Sequence, residues 1–170
     1  MLLNKELKIA EIDESVDAFR MRLIKRLIEW FPNRTIDGLI CRPAEALSYC
    51  EQMRSDVGSY SLCDAVILKA LVNIRKQKKC PTGLLATTAR RNVKLELAGA
   101  SCNLTPEVFK ELANDCLSGM YKDATIDETL CHPREALALC NYVRQTADCR
   151  SLADEFILST IMNYRKAINS

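Results

Sequence analysis

The feature that most constrains this chain is an internal repeat with an offset of 90 positions. Residues 35–77 align without a gap to residues 125–167, and roughly 18 of these 43 positions carry identical residues. A weaker alignment extends back to Ser15 and Thr105. A unit of this length that occurs only twice differs from the shorter, more numerous repeats of a solenoid. The repeat therefore predicts two tandem homologous bundles, and we expect them to be related by pseudo-twofold symmetry.

Composition favours helices in both units. Only 5 glycines occur in 170 residues, and aromatic side chains make up 6%, whereas strands are enriched in aromatic and β-branched residues. We therefore predict a mainly α fold, with a first helical unit and its N-terminal arm over 1–77, a basic connecting segment over 78–104 and a second helical unit over 105–170. A unit of about 65 residues buries a limited core, so we expect the two units to pack together as one globule.

Each unit is predicted to contain three main helices and one short helical turn. The capping residue of the first helix is Ser15 or Glu14 in the first unit and Thr105 in the second. The turn and the later helix starts recur 90 positions apart, at 35–40 and 125–130, at Pro43 and Pro133, and at the S-x-x-D signals that begin with Ser61 and Ser151.

Apolar spacing predicts which helix faces are buried. Leu47 and Leu137 lie on the apolar line of the second helix, so we expect truncation of either to alanine to cost about 2–5 kcal/mol. The third helix is apolar on several sides, which indicates burial on two of them. In the first helix of the second unit, the apolar stripe moves sideways, to Leu112, Cys116 and Met120.

Two short segments, 7–10 and 93–97, alternate apolar and polar residues. Alternation indicates strands, and these two strands could pair with each other. An extended linker or a frayed helix explains the same letters equally well. Residues 78–92 contain Pro81 and Gly83 and are predicted to form a connecting loop.

The chain has no apolar run that approaches the roughly 18 residues of a membrane helix, and its N-terminus lacks the apolar stretch of a signal peptide. We therefore predict a cytoplasmic protein without membrane association, whose nine cysteines are reduced thiols. The net charge is +2; residues 78–104 carry +4, whereas residues 1–77 carry +1 and residues 105–170 carry −3. A basic surface spread over a whole domain, typical of nucleic-acid binding, is absent from the sequence.

The cysteines do not have the spacing of a zinc site. No pair forms C-x2-C, and the single histidine, His132, corresponds to Arg42 in the other unit. Most cysteines are predicted to be small core residues. Cys41 and Cys131 precede a helix N-terminus, where the helix dipole lowers a thiol pKa, so these two are the candidate reactive thiols.

The candidate contact residues are amides and cations near the end of the third helix and in the connecting segment. They could bind a partner or an anion, although hydrogen bonding within the fold and solvation explain them as well. These residues are Asn73, Arg75, Lys76, Lys78, Lys79, Arg90, Arg91, Asn163, Arg165 and Lys166.

No nucleotide-binding, metalloprotease or hydrolase motif occurs in the sequence. We predict a protein that is not an enzyme and has no cofactor: a helical scaffold or adaptor that binds another protein or itself. Two alternatives stay open, namely nucleic-acid binding through the basic segment and the third-helix C-termini, and a thiol-based redox or regulatory protein. Steep salt dependence would favour the first alternative, and fast thiol reactivity the second.

Overall fold

The computed structural model describes residues 3–77 and 92–168, and these residues form ten helices and no strand. The mainly α fold class is thus confirmed. In chain order the helices are α1 (Leu3–Ile9), α2 (Val16–Trp30), α3 (Ile36–Ile40), α4 (Pro43–Val57), α5 (Asp64–Lys76), α6 (Val93–Gly99), α7 (Pro106–Met120), α8 (Ile126–Leu130), α9 (Pro133–Thr146) and α10 (Asp154–Ile168).

Contacts divide the described residues into two compact units. The first unit contains residues 3–40 and 44–77, and the second contains residues 41–43 and 92–168. Helix α6 lies within 78–104, which was predicted to be a connecting segment, and it belongs to the second unit. The predicted symmetry and packing of the two units stay predictions.

Hydroxyl side chains begin the first long helix of each unit, as the sequence predicts. The side chain of Ser15 accepts a hydrogen bond from the amide of Ala18 at 3.1 Å. The side chain of Thr105 accepts one from the amide of Val108 at 3.4 Å, and Pro106 is the first residue of α7. Each hydroxyl therefore satisfies an amide that has no partner within its own helix.

Helices α1 and α6 occupy the segments that the alternation predicts as a strand pair, so that prediction was wrong. Leu7 and Leu97 are buried, whereas Ile9 and Leu95 are exposed. One buried side chain anchors each helix, and the other apolar residues of the alternating set point elsewhere. Over four or five residues, a period of two does not distinguish a strand from a short helix of this kind.

Two residues after the last residue of α1 and of α6 lies a residue with positive φ, Glu11 at 56° and Ser101 at 54°. Beyond the first of these residues, the amide of Ile12 bonds back to the carbonyl of Leu7 at 2.9 Å. The amide of Cys102 likewise bonds back to the carbonyl of Leu97 in α6 at 2.9 Å. This left-handed termination satisfies carbonyls at the helix end and turns the chain sharply toward the next helix.

A side-chain hydroxyl holds the C-terminal end of each short helix. Ser59 donates to the carbonyl of Ala10 at 2.7 Å, and Ser151 donates to the carbonyl of Ala100 at 2.9 Å. The S-x-x-D signals are therefore not helix caps. Helix α5 begins after Cys63, which provides no side-chain cap. Ser61 lies two residues before this N-cap position, and its hydroxyl bonds to that of Ser59 at 3.1 Å.

The register of α9 corrects the predicted core. Leu137 is 41% exposed, and Leu139 is fully buried instead. The inward residues of α9 are Ala136, Leu139, Cys140 and Val143, whose spacing places position 137 on the flank of the helix. In α4, Leu47 is likewise only half-buried, and Tyr49 takes the core position.

Helix α5 forms the interior of the first unit, as its sequence predicts. Its buried residues are Val66, Ile67, Leu68, Ala70, Leu71, Val72 and Ile74. In the second unit, the rings of Phe109 and Phe156 stack with centroids 5.2 Å apart and join α7 to α10. Within residues 3–77 and 92–168, none of the helices has the length and apolarity needed to cross a membrane.

Candidate functional site

The two candidate thiols, Cys41 and Cys131, are buried, with 1% and 3% of their surfaces exposed. Cys131 ends α8, and the residue that directly precedes α9 is His132. A thiol reacts with a reagent only when the reagent reaches the sulfur, so burial to this depth slows reactions of the folded protein. A reactive role for these thiols stays a hypothesis that labelling rates can test.

The candidate contact residues lie in several different environments. Arg75 forms an ion pair with Asp37 at the start of α3, so its guanidinium contributes to the fold of the first unit. Asn73 is half-buried, and Asn163 is exposed. Lys76 is exposed, Arg165 is half-buried and Lys166 lies in α10, whereas Lys78, Lys79, Arg90 and Arg91 lie outside the described residues.

A recurring arginine links the second and third long helices of each unit. Arg54 pairs with Asp64, and Arg144 pairs with Asp154, across the connection between these helices. The Nε of Arg144 also donates to the carbonyl of Leu152 at 2.7 Å. These arginines and aspartates therefore hold consecutive helices together. Sequence alone explains them separately, as residues that favour a helix dipole and a helix cap.

The second unit has a groove of about 440 Å³ between α7 and α9. None of its residues is among the sequence-based candidates. Five of its residues come from α7 and two from α9, so the groove runs along the outer side of these helices. The lining consists of Val108, Glu111, Leu112, Asp115, Cys116, Tyr142 and Thr146.

The inner part of the groove is apolar in character. Cys116 is buried there, and burial raises the pKa of its thiol despite an opposing effect from the Thr146 hydroxyl. A neutral thiol packs as a small hydrophobic group. The Thr146 hydroxyl donates to the carbonyl of Tyr142 at 2.9 Å, within the same helix. The polar hydrogen of Thr146 is therefore satisfied without a ligand.

The outer part of the groove combines exposed apolar groups with carboxylates. Val108 is 47% exposed and Tyr142 is 43% exposed. Glu111 and Asp115 are also exposed, and they lie four residues apart on α7. Within the described residues, neither carboxylate takes part in an ion pair. Like charges at this spacing destabilise a helix by about 0.2–0.5 kcal/mol, so this surface carries an unbalanced negative charge.

The corresponding face of the first unit, between α2 and α4, is filled by its own charged side chains. Arg22 donates to Oδ2 of Asp56 at 3.1 Å and to Oε1 of Glu14 at 3.1 Å. Arg26 also pairs with Asp56, and its guanidinium lies 5.5 Å from the ring centroid of Trp30. We call Glu14, Arg22, Arg26 and Asp56 the ion cluster. It links α2 to α4 where the second unit is open.

Hydrogen bonding keeps the shared carboxylate of the ion cluster charged. Burial by itself raises the pKa of Asp56, but the hydrogen bonds from Arg26 and Arg22 outweigh burial, and the pKa lies below its usual value. Hydrogen bonds to Glu14 and Asp56 raise the pKa of Arg22. Hydrogen bonds to Asp56 and Glu29 raise the pKa of Arg26. All three side chains are therefore ionised at neutral pH.

Three positions of the aligned halves differ between the ion cluster and the groove. Leu112 lies at the position of Arg22, Cys116 at that of Arg26, and Thr146 at that of Asp56. The sequence signal for the groove was the sideways apolar stripe of α7. A stripe alone does not reveal a groove, because a neighbouring helix could have covered it.

Among residues 3–77 and 92–168, no group of three or more His, Cys, Asp or Glu side chains is arranged to hold a metal ion. Comparisons with protein-family models, with curated proteins and with solved structures found no match for the chain.

Proposed function

We propose that this protein is a non-catalytic helical scaffold or adaptor, built of two tandem homologous bundles, that binds another protein through the groove between α7 and α9. One observation carries this proposal: the exposed side chains of Val108 and Tyr142 flank an apolar groove that the fold leaves open. Exposed tyrosine and apolar side chains around a concave surface are typical of the centre of a protein interface.

The repeat supports the scaffold part of the proposal. The bounds of α2 and α7 lie 90 positions apart, and so do those of α3 and α8. A duplicated unit supplies two similar supports, on which a few substitutions can change the surface while the framework is kept. Here those substitutions remove the ion cluster from one support and expose a groove.

The chemistry of the groove favours binding over catalysis. A covalent catalyst needs a nucleophile with a base within hydrogen-bonding reach. The nucleophile that the groove offers, Cys116, has a raised thiol pKa, and no histidine lines the groove. A raised pKa lowers the thiolate fraction at neutral pH and so weakens attack.

A binding experiment with matched tyrosine variants tests the proposal. Tagged protein is purified from nuclease-treated extract, each co-purifying protein is identified, and its Kd is measured with purified components. We expect Tyr142→Ala to weaken direct binding at least tenfold, or about 1.4 kcal/mol. The control is Tyr60→Ala, which removes an exposed tyrosine of the first unit and should change Kd less than about twofold.

Two results would contradict the proposed function. One is a partner that binds both tyrosine variants as well as the natural protein. The other is that no protein co-purifies, whereas purified nucleic acid binds the protein with an affinity that falls steeply as salt rises. That second result would favour the basic connecting segment as the functional surface.

A further inference from the structure

We propose that the groove binds a cationic amphipathic helix of a partner protein. The apolar residues of that helix would lie against Leu112 and Tyr142, and its lysine or arginine side chains would lie beside Glu111 and Asp115. This inference rests on the proposed function and specifies the chemistry of the partner.

The first unit shows which chemistry suits this helical face. There, Arg22 and Arg26 cover the surface between α2 and α4 with their aliphatic stems and place their guanidinium groups on a carboxylate, Asp56. The second unit lacks both arginines and carries carboxylates on α7 instead. Cationic side chains from outside would therefore restore the kind of contact that the first unit makes internally.

The shape of the groove favours a helix as the ligand. The lining of α7 runs from Val108 to Cys116, about 12 Å along the axis at 1.5 Å per residue. Two turns of a bound helix cover that length and present apolar side chains at i, i+3 or i+4, and i+7. A bound strand would need an open sheet edge to pair with, and the groove walls are helices whose backbone groups bond internally.

Charge selects a basic ligand over an acidic one. Glu111 and Asp115 lie four residues apart, are exposed and have no ion-pair partner in the part of the chain that the structure describes. A cation placed between them relieves their mutual repulsion. An acidic helix, or the phosphates of a nucleic acid, would increase that repulsion.

Two synthetic peptides test this specificity. Both carry leucines at i, i+4 and i+7 of a helical sequence; one has arginines at the flanking positions, and the other has glutamates there. Binding of fluorescein-labelled peptide to the full chain is followed by fluorescence anisotropy at low and high salt. We expect the arginine peptide to bind and the glutamate peptide to bind at least tenfold more weakly. High salt should weaken binding of the arginine peptide.

Charge reversal in the groove provides the matched variants. The double variant Glu111→Lys with Asp115→Lys should bind the arginine peptide at least tenfold more weakly. The control, Asp13→Lys with Glu51→Lys, changes the net charge equally at exposed acids of the first unit. Its affinity for the arginine peptide should stay within about twofold of that of the natural protein. If circular dichroism shows that the reversed variant is unfolded, Glu111→Gln with Asp115→Asn replaces it, with an expected loss of at least threefold.

The outcomes separate this inference from the function on which it rests. The proposal of a cationic ligand is overturned if the two peptides bind with equal affinity. It is also overturned if the control variant loses as much affinity for the arginine peptide as the groove variant does. If a protein partner depends on Tyr142 but the arginine peptide does not bind, the adaptor function stands and this inference fails. If the protein self-associates and the double variant Glu111→Lys with Asp115→Lys does not, the occupant of the groove is a second copy of the chain. That result would overturn the proposal of a separate partner protein.

Discussion

Positions that align between the two halves of the sequence carry different chemistry in the two units. Between α2 and α4, Arg22 and Arg26 converge on Asp56 and close the surface. Between α7 and α9, the aligned positions carry a leucine, a cysteine and a threonine, and a groove of about 440 Å³ results. The difference shows that a few side chains can change the chemistry of a surface while the helices beneath it begin at aligned positions.

The second unit can be stable without an ion cluster. Partly exposed ion pairs contribute only about 0–1 kcal/mol each, because water screens them and the side chains lose freedom. The second unit also contains an aromatic contact of its own. Phe156 stacks on Phe109, whereas the first unit has Val66 at the position of Phe156. Its stability therefore need not depend on an ion pair at the groove.

The largest expected effect tests the orientation of α9 beneath the groove. Leu139→Ala should cost about 2–5 kcal/mol of unfolding free energy, because it leaves a cavity in a packed core. Leu137→Ala, on the exposed flank, should cost less than about 1 kcal/mol. Urea denaturation of both variants gives the two values. Similar losses would show that α9 is rotated and that the groove is wrongly placed.

The next prediction concerns the ion cluster. Asp56→Asn should cost about 1–2 kcal/mol, because two arginines lose a charged acceptor. This cost is small because the Arg22 side chain is partly exposed, and water screens its interaction with Asp56. Thr146→Ala, at the aligned position, should have little effect, since its hydroxyl bonds within its own helix. Thermal unfolding at neutral pH compares the two.

The sign of the pH dependence sharpens this test. The folded-state pKa of Asp56 is lowered from 3.8, so its stabilising contribution is fully present above the unfolded-state pKa. That contribution is lost as the pH falls below about 3.8 through the lower folded-state pKa. The stability difference between the natural protein and Asp56→Asn should therefore shrink in this acidic range, and a difference that is constant down to pH 2 would contradict the assignment.

A graft of the first-unit chemistry should close the groove. Leu112→Arg with Thr146→Asp places an arginine and its acceptor where Arg22 and Asp56 stand in the first unit. We expect the arginine peptide to bind at least tenfold more weakly, or about 1.4 kcal/mol, while the melting temperature changes little. Unaltered peptide binding by a folded graft would show that the groove is not the binding surface.

The smallest expected effect is on stability at the exposed groove tyrosine. Tyr142→Ala and Gln52→Ala occupy aligned positions of α9 and α4, and each should change the unfolding free energy by less than about 0.5 kcal/mol. The two melting curves are compared directly. A clear loss for Tyr142 alone would make it a structural residue and weaken the case for an interface.

Local signals in the sequence predicted much of the framework. The caps at Ser15 and Thr105 and the buried third helix α5 are found where the sequence places them. These features depend on nearest neighbours along the chain, so sequence suffices. The strand prediction at 7–10 and 93–97 failed because α1 and α6 are stabilised by contacts with distant residues such as Ser59 and Ser151.

The sequence by itself determined the helical class and the starts of α2, α4, α7 and α9, because periodicity and capping act over a few residues. Only the tertiary structure decided which side of α9 is buried and whether the shifted stripe of α7 is covered. Both depend on what packs across from each helix, and the spacing of apolar residues along one helix does not contain that information. The groove is therefore a property of two helices together, and the exposure of Val108 and Tyr142 follows from their packing.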